Sequence, residues 1–311
     1  MKLIRGLHNL TQAQPASVVT IGNFDGLHLG HQRVLAQLDN IGEALNLPTT
    51  VIIFEPQPIE FFAPTKAPKR LARFREKLIH MQSHNVNTLL SIAFNHSLAE
   101  MEAETFITDI LVNRLNIQHL VIGDDFRFGK NRQGDFEYLQ QAGAKYGFKV
   151  DRTESLLDDN IRVSSTRIRE AITADDFETA HRLLGRPYAL AGKVAHGQKL
   201  GRELGYPTIN IKMGDKTLVV KGIFAVSVKG IDNCGLRGVA SLGTRPTVNG
   251  IDTILEIYIL DFNRDIYGYN VEVEFLHKIR DEKKFDSLEE LTINIEQDIV
   301  QAKLYFDKML P

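Results

Sequence analysis

His28 and His31 stand three residues apart in Thr-Ile-Gly-Asn-Phe-Asp-Gly-Leu-His-Leu-Gly-His-Gln-Arg, residues 20–33. The β-rich run Ser17-Val18-Val19-Thr20-Ile21 stops at Gly22. A helical stripe with Val34, Leu35 and Leu38 starts near Leu29. The i, i+3 spacing puts both imidazoles on one side of the first helical turn. Free N–H groups and the positive dipole end of such a turn attract anions. A strand, a Gly-rich turn, two histidines and a helix start together point to a phosphate site. A plain helix start with two surface histidines accounts for the pair alone equally well. Zinc needs at least a third ligand, and no Cys or His cluster supplies one. The Gly-x-x-x-x-Gly-Lys-Ser/Thr and Gly-x-Gly-x-x-Gly loops are both absent.

A second chemical stretch runs from Gly192 to Asn210. Its glycines surround basic residues and end at Pro207-Thr208-Ile209-Asn210. Glycines let a backbone approach a ligand closely, and Thr and Asn oxygens suit Mg²⁺ and phosphate. The alternative is a β-turn with a capping Thr. Glu256 lies in a strand-like run with apolar flanks, Ile254-Leu255 and Ile257-Tyr258-Ile259. It reads as a functional carboxylate, or as an outward charge on a strand.

These residues need elements to hold them. Strand patterns at 17–22, 49–55, 88–94, 118–123 and 148–153 alternate with helix patterns near 29–46, 72–84, 102–115 and 134–146. That alternation predicts an α/β unit, a parallel sheet with helices on both faces. Such sheets bind ligands at the carboxyl ends of their strands, where the histidine turn falls. Residues 166–184 read as helical, and Gly185-Arg186-Pro187 ends the pattern. Short β-type runs follow at 208–211, 222–228, 238–241, 254–260 and 271–275, with a turn at Val248-Asn249-Gly250. They predict a small antiparallel barrel. A terminal helix opens on the capping-box pattern Ser287-Leu288-Glu289-Glu290. The expected domains are 1–184 and 185–311.

The chain has 311 residues, enough for two cores. Its formal net charge of −2 advertises no nucleic-acid face. No apolar run reaches membrane-spanning length, and the N-terminus lacks a signal-peptide core. Its one cysteine, Cys234, excludes an intramolecular disulfide, and the expected compartment is cytoplasmic.

His28-Leu29-Gly30-His31 resembles the His-x-Gly-His signature of the nucleotidylyltransferase superfamily. Ser164-Ser165-Thr166-Arg167-Ile168-Arg169 resembles its downstream Ser-Ser-Thr-x-x-Arg element. Residues 192–210 resemble the riboflavin kinase signature, with Ile209 in place of the usual Ala. Residues 238–247, 255–262 and 278–285 are similar to that family's later blocks. Ile257 and Tyr258 replace Thr-His there, and Glu256 is retained. The whole order resembles the bacterial bifunctional riboflavin kinase/FAD synthetase family.

The resemblance implies a Rossmann-like adenylyltransferase domain followed by a riboflavin kinase barrel. It implies Mg²⁺, ATP at both sites, and riboflavin, FMN and FAD as substrates and products. Small molecules are the expected partners, with no nucleic acid and no membrane. At the first site it assigns Gly22, Asn23, Phe24, His28, His31, Ser165, Thr166 and Arg169 to ATP, with His28 and His31 also catalytic. Phe54, Pro56, Pro58, Phe62, Asp125 and Phe128 are the flavin candidates there. The Ser-Ser-Thr run is also readable as a helix N-cap, and the Pro-rich segment as a loop packed on the core. At the second site Gly197, Gly201, Arg202, Gly205, Thr208 and Asn210 are assigned to ATP, with Thr208 and Asn210 also on the metal. Glu256 is the expected base, and Glu256 and Arg280 the flavin contacts. The competing readings are a chain with one working module and a flavin-binding regulator without turnover.

Overall fold

Near-continuous Val/Ile/Leu runs bounded by turn residues form strands buried on both faces, as a parallel sheet requires. The computed structural model describes residues 1–10, 14–197, 201, 204–214, 218–232, 235–247 and 250–308. Arg202, Cys234 and the turn residues Val248 and Asn249 lie outside them.

By internal contacts the chain divides into two units. One comprises residues 1–68 and 77–164, the other 69–76 and 165–311. In the first unit, strands β1 (Lys2–Arg5), β2 (Ser17–Ile21), β3 (Thr49–Phe54), β4 (Thr88–Ile92), β5 (Ile117–Gly123) and β6 (Lys149–Thr153) form one sheet. Its order is β1-β4-β3-β2-β5-β6, and all pairs are parallel. Successive strands run outward in opposite directions from the β2/β5 neighbourhood, so the turn after β2 lies at the topological switch point. β1 was not expected from the sequence; it extends the edge beside β4.

Helix α1 (Leu29–Leu45) follows β2 and buries Leu35 and Leu38. It ends at Asn46 in the left-handed region, φ 53°. Beyond β3 come α2 (Pro58–Phe62) and α3 (Phe74–Gln82). The helix expected near 102–115 is irregular. After α4 (His96–Ala99), α5 (Ala103–Thr105) passes into a π-helix at Phe106–Arg114. Phe106, Ile107, Ile110 and Leu111 of that stretch join Val19, Ile21, Ile52, Leu120 and Ile122 in the main core. Helix α6 (Phe136–Tyr146) adds Leu139 and Ala142. The short hairpin β7 (Leu157–Asp158) and β8 (Ile161–Arg162) completes the unit.

The stretch expected as one helix over 166–184 is two: α7 (Ser165–Thr173) and α8 (Phe177–Leu184). Asp175 adopts φ 61°, which stops α7. The Asp176 carboxylate then accepts from the Thr179 N–H at 2.9 Å and caps α8. Six antiparallel strands follow: β9 (Tyr188–Ala195), β10 (Thr208–Gly214), β11 (Gly222–Lys229), β12 (Leu236–Thr247), β13 (Gly250–Ile259) and β14 (Asn270–Arg280). They close into a barrel of order β10-β13-β12-β11-β14-β9. β9 closes it by pairing with both β10 and β14. Ile211, Leu255, Leu242, Ile257, Ala240 and Phe224 are fully buried. The row Ile209–Ile257–Ala240–Phe224 runs across the inner face. Helix α9 (Leu288–Lys308) packs Ala302 and Phe306 against Ala225 and Val239 on the outside of the barrel. Burying a Phe side chain contributes about 1.5–3 kcal/mol. The Ser287 hydroxyl accepts from the Glu290 N–H and caps the helix.

Candidate active sites

In the first unit the chain leaves β2 through a tight turn. Phe24 (φ 47°), Gly26 (φ 79°) and Leu27 (φ 45°) take the left-handed backbone. Phe24, Asp25, Leu27 and His28 are all buried, so the strain is supported by packing. His28 is the N-cap of α1 rather than a member of its first turn: its Nδ1 accepts from the His31 N–H at 3.3 Å. In a neutral ring that arrangement puts the proton on Nε2. The two imidazoles stack with centroids 3.7 Å apart and planes at 18°. Phe24 backs His31 at 5.1 Å. Two glycines make room for these rings. A Cβ on Gly30 would lie 3.1 Å from His28 Cε1, and one on Gly22 3.1 Å from Phe24 Cε2. Asn23 is exposed at the turn. The result is a pair of imidazoles at a helix N-terminus, at the carboxyl end of a central strand.

The Pro-rich segment follows β3 at the same sheet end. Gln57 begins α2 with a capping box to Glu60, and Pro58 is its first residue. Phe94, after β4, was missed in the sequence. It packs edge-on to Phe54 (5.7 Å), Phe61 (5.5 Å) and Phe62 (5.6 Å). Phe62 is nonetheless 64% exposed, and Pro56 is exposed too. An aromatic surface therefore stands open to a planar partner. Within 123–129, Asp125 is exposed while Phe128 packs with Phe106, Phe126 and Tyr138 in the core. Arg162, another residue not singled out from the sequence, pairs with Asp124 at 3.3 Å and Asp125 at 3.0 Å. Burial opposes ionisation of Asp124, but the Ser155 hydroxyl and Arg162 outweigh it and hold that carboxyl below its ordinary range.

Ser165, Thr166 and Arg169 occupy the start of α7, which packs with the second unit. Arg169 Nε donates to the Lys69 carbonyl at 2.6 Å.

In the second unit one row of residues crosses five strands. Asn210 pairs with Glu256, Glu256 with Ser241, Ser241 with Ile223, and Ile223 with Arg280. Directly paired residues share a face. All five line a cleft of about 320 Å³, walled on the far side by Leu291, Ile295 and Ile299 of α9. The next row, Thr208–Tyr258–Val239, lines it as well. Tyr206 stands edge-on to Tyr258 at 5.6 Å and donates to Glu296 of α9 at 3.0 Å. Burial and the Glu296 charge raise that phenol above its ordinary value.

Arg280 is held by a carboxylate that the sequence did not flag. Its Nε and Nη2 each donate to an oxygen of Asp298 at 2.7 Å. Asp298 is only 5% exposed. The remaining edge donates to the Asp281 carbonyl, and Phe285 lies beneath the guanidinium at 5.6 Å.

A second cleft of about 230 Å³ is lined by Pro207, Thr208, Ile257, Phe262, Arg264 and Tyr267, among others. Thr208 lines both clefts. Gly197 lies against Asn210, where a Cβ would come within 2.3 Å of the amide nitrogen. Gly201 is pressed on the Tyr206 carbonyl in the same way, at 2.5 Å. Gly205 takes φ 87° with open space around it. Gly201 is required by its approach to backbone and Gly205 by its backbone conformation, whereas the Gly197 contact is with the end of the Asn210 side chain. Among the described residues no cluster of three or more His, Cys, Asp or Glu could hold a metal. Thr208 and Asn210 offer neutral oxygens, the hard donors that complement a cation carried in on phosphate.

Among the described residues no helix is long and apolar enough to cross a membrane. The FAD synthetase family model matches residues 10–167, and the riboflavin kinase family model residues 184–306. A bifunctional riboflavin kinase/FMN adenylyltransferase of Escherichia coli is 46% identical over 312 residues, all of both chains. Its namesake from Haemophilus influenzae is 46% identical over 99% of this chain and 100% of that one. A crystal structure described as a macrolide-efflux protein from Streptococcus pneumoniae superposes with a TM-score of 0.78. It is 29% identical and covers 97% of this chain and 99% of its own. With two family models in this order and full-length identity at this level, the chain belongs to the bifunctional riboflavin kinase/FMN adenylyltransferase family.

Proposed function

We infer that this chain makes FAD in two steps, both driven by ATP. The barrel unit phosphorylates riboflavin, and the histidine turn serves the adenylylation of the FMN produced. We assign the kinase to residues 185–311 and the adenylyltransferase to 1–184. The compartment we propose is cytoplasmic.

The observation that carries the kinase assignment is the meeting of two clefts at Thr208. ATP lies in the smaller cleft, its phosphates reaching Thr208, Asn210 and the glycines at 197, 201 and 205. Thr208 and Asn210 would hold Mg²⁺, and the ion would supply charge neutralisation at the phosphates. Riboflavin lies in the larger cleft. Its 5′-hydroxyl meets Glu256, one strand away from Asn210. Glu256 takes the hydroxyl proton as the oxygen bonds to the γ-phosphorus and the bond to ADP breaks. The site's main work is positioning, since phosphoryl transfer asks for little covalent help.

At the other site an oxygen of the FMN phosphate attacks the α-phosphorus of ATP. The bond from that phosphorus to the β-phosphate oxygen breaks and pyrophosphate leaves. The attacking group is already an anion, so no base is needed. Negative charge builds on the α-phosphate and on pyrophosphate. Nε2–H of His28, the His31 imidazole and the start of α1 donate to those oxygens. Gly22, Asn23 and Phe24 shape the turn that holds the triphosphate, and Ser165, Thr166 and Arg169 are ATP candidates on their resemblance to the Ser-Ser-Thr-x-x-Arg element. The exposed faces of Phe54, Pro56, Pro58 and Phe62 receive the isoalloxazine, with Asp125 bordering it; Phe128, expected as a flavin contact, is packed in the core.

The test is a time course of riboflavin with Mg-ATP that resolves FMN from FAD. FMN rises first and FAD follows. Glu256→Gln lowers FMN formation by about 10²–10⁴-fold and leaves FAD formation from supplied FMN intact. His31→Ala does the reverse, with a loss of about 10²–10³. Equal loss of both steps in a folded protein would sink the assignment.

A further inference from the structure

We propose that Ser241 is a specificity-determining residue of the kinase site, one that reads a secondary hydroxyl of the substrate's polyol chain. The proposal rests on the kinase reading above and goes beyond it.

Position supports it first. The row Asn210–Glu256–Ser241–Ile223–Arg280 has a fixed polarity. The phosphate-facing residues Thr208 and Asn210 stand on one side of Glu256. The substrate carrying the reactive hydroxyl must therefore extend to the other side. The first side chain it meets there is Ser241, on the neighbouring strand, with Cβ atoms about 4.5–5.5 Å apart. A polyol built of bonds of about 1.5 Å covers that span in three or four bonds. The hydroxyl brought opposite Ser241 is thus the next one, or the next but one, along the chain. Further on the row turns apolar at Ile223, then planar and cationic at Arg280 over Phe285. Arg280 stands three strand spacings from Glu256, about 14 Å. A flexible polyol next to the base, followed by a flat ring system, matches this order of polar, apolar and planar surfaces.

Chemistry supports it independently. On the inner face the comparable row is Ile209–Ile257–Ala240–Phe224, wholly apolar. Serine is a poor strand former beside Val, Ile or Thr, so the fold gains little from it on the outer face. The Ser241 hydroxyl makes no side-chain hydrogen bond among the described residues, yet it lines the cleft. A hydroxyl can donate and accept at once, which suits an alcohol partner. A site built to bond a substrate hydroxyl rejects an analogue lacking it more strongly than an apolar pocket does.

The experiment compares kcat/KM for riboflavin and for a flavin whose N10 chain is 5-hydroxypentyl, with the terminal hydroxyl kept and the secondary ones absent. It uses the full chain with Mg-ATP. The wild-type protein prefers riboflavin. Ser241→Ala loses about tenfold on riboflavin and little on the analogue, so the preference shrinks by that factor. Ser241→Thr, which keeps a hydroxyl, retains it. FAD formation from FMN in the same chain reports folding, and Ser241→Cys repeats the measurement with the cleft volume preserved should the Ala variant fold poorly. An unchanged preference in Ser241→Ala and Ser241→Cys overturns the proposal while leaving the kinase reading in place. No turnover of riboflavin by the wild-type protein overturns both.

Discussion

At the scale of single residues, several side chains serve the backbone and the chemistry together. His28 caps α1 through Nδ1 and presents Nε2–H as a donor. The two roles are separable, because Asn is among the strongest N-caps. His28→Asn should keep the thermal midpoint near wild type and still lose adenylylation. His28→Ala should lose the rate and also about 1 kcal/mol of stability. Differential scanning beside an FMN-to-FAD assay checks this. A rate retained by His28→Asn would show that the imidazole matters only as a cap. The histidine pair was legible in the sequence because its spacing is local. Ring stacking at 3.7 Å was not, since it depends on the turn at Phe24 and Leu27 and on the glycines that admit the rings.

At the scale of elements, α9 walls the larger cleft, the proposed kinase site, and packs on the outside of the barrel. Asp298 takes both donors of the Arg280 fork in a site largely shut off from water. Removing one member of such a pair leaves the other charge unpaired, typically at 3–5 kcal/mol. Arg280 keeps a quarter of its side chain exposed, so Asp298→Ala should fall at the low end, about 3 kcal/mol. It should also raise the KM for riboflavin and spare the KM for FMN in adenylylation. Urea unfolding with steady-state kinetics reads both, and unchanged values would remove the clamp from the account.

His181 links α8 to β14 through the Phe275 carbonyl at 2.9 Å. Burial pulls its imidazole below the ordinary value, against the opposing pull of that carbonyl and of Glu274. The folded chain thus favours neutral His181. Its contribution is fully present above the unfolded value near 6.5 and is lost as pH falls from there through the lower folded value. Unfolding of the barrel should become easier between pH 7.5 and pH 5.5, and His181→Gln should flatten that trend. A wild-type slope in the variant would assign the effect to another group.

At the scale of the whole molecule, the two proposed chemistries draw on different residues, Glu256 with β10 for one and the histidine turn for the other. Each should then survive damage to the other. Glu256→Gln and His31→Ala chains, each unable to take riboflavin to FAD alone, should make FAD when mixed, as FMN passes through solvent. Chromatography of the mixed reaction checks it. Absence of FAD from the mixture, with each half-reaction intact on its own, would show that FMN is not released.

By itself the sequence determined the period of its elements and the chemistry of its local motifs. The central parallel strands of the first unit and the barrel strands other than β9 were readable because burial imprints a hydrophobic period on a short window. β1 was not, being a short edge strand, and β9, Tyr-Ala-Leu-Ala-Gly-Lys-Val-Ala, is poor in the β-branched residues that mark a strand. Tertiary structure alone decided which distant residues share a row. Asn210, Ser241, Glu256 and Arg280 come together through strand register, and Asp298 and Phe94 through packing. The physical reason is that alternation along a strand dictates which face a side chain takes, while its neighbour across the ladder depends on closure of the entire barrel.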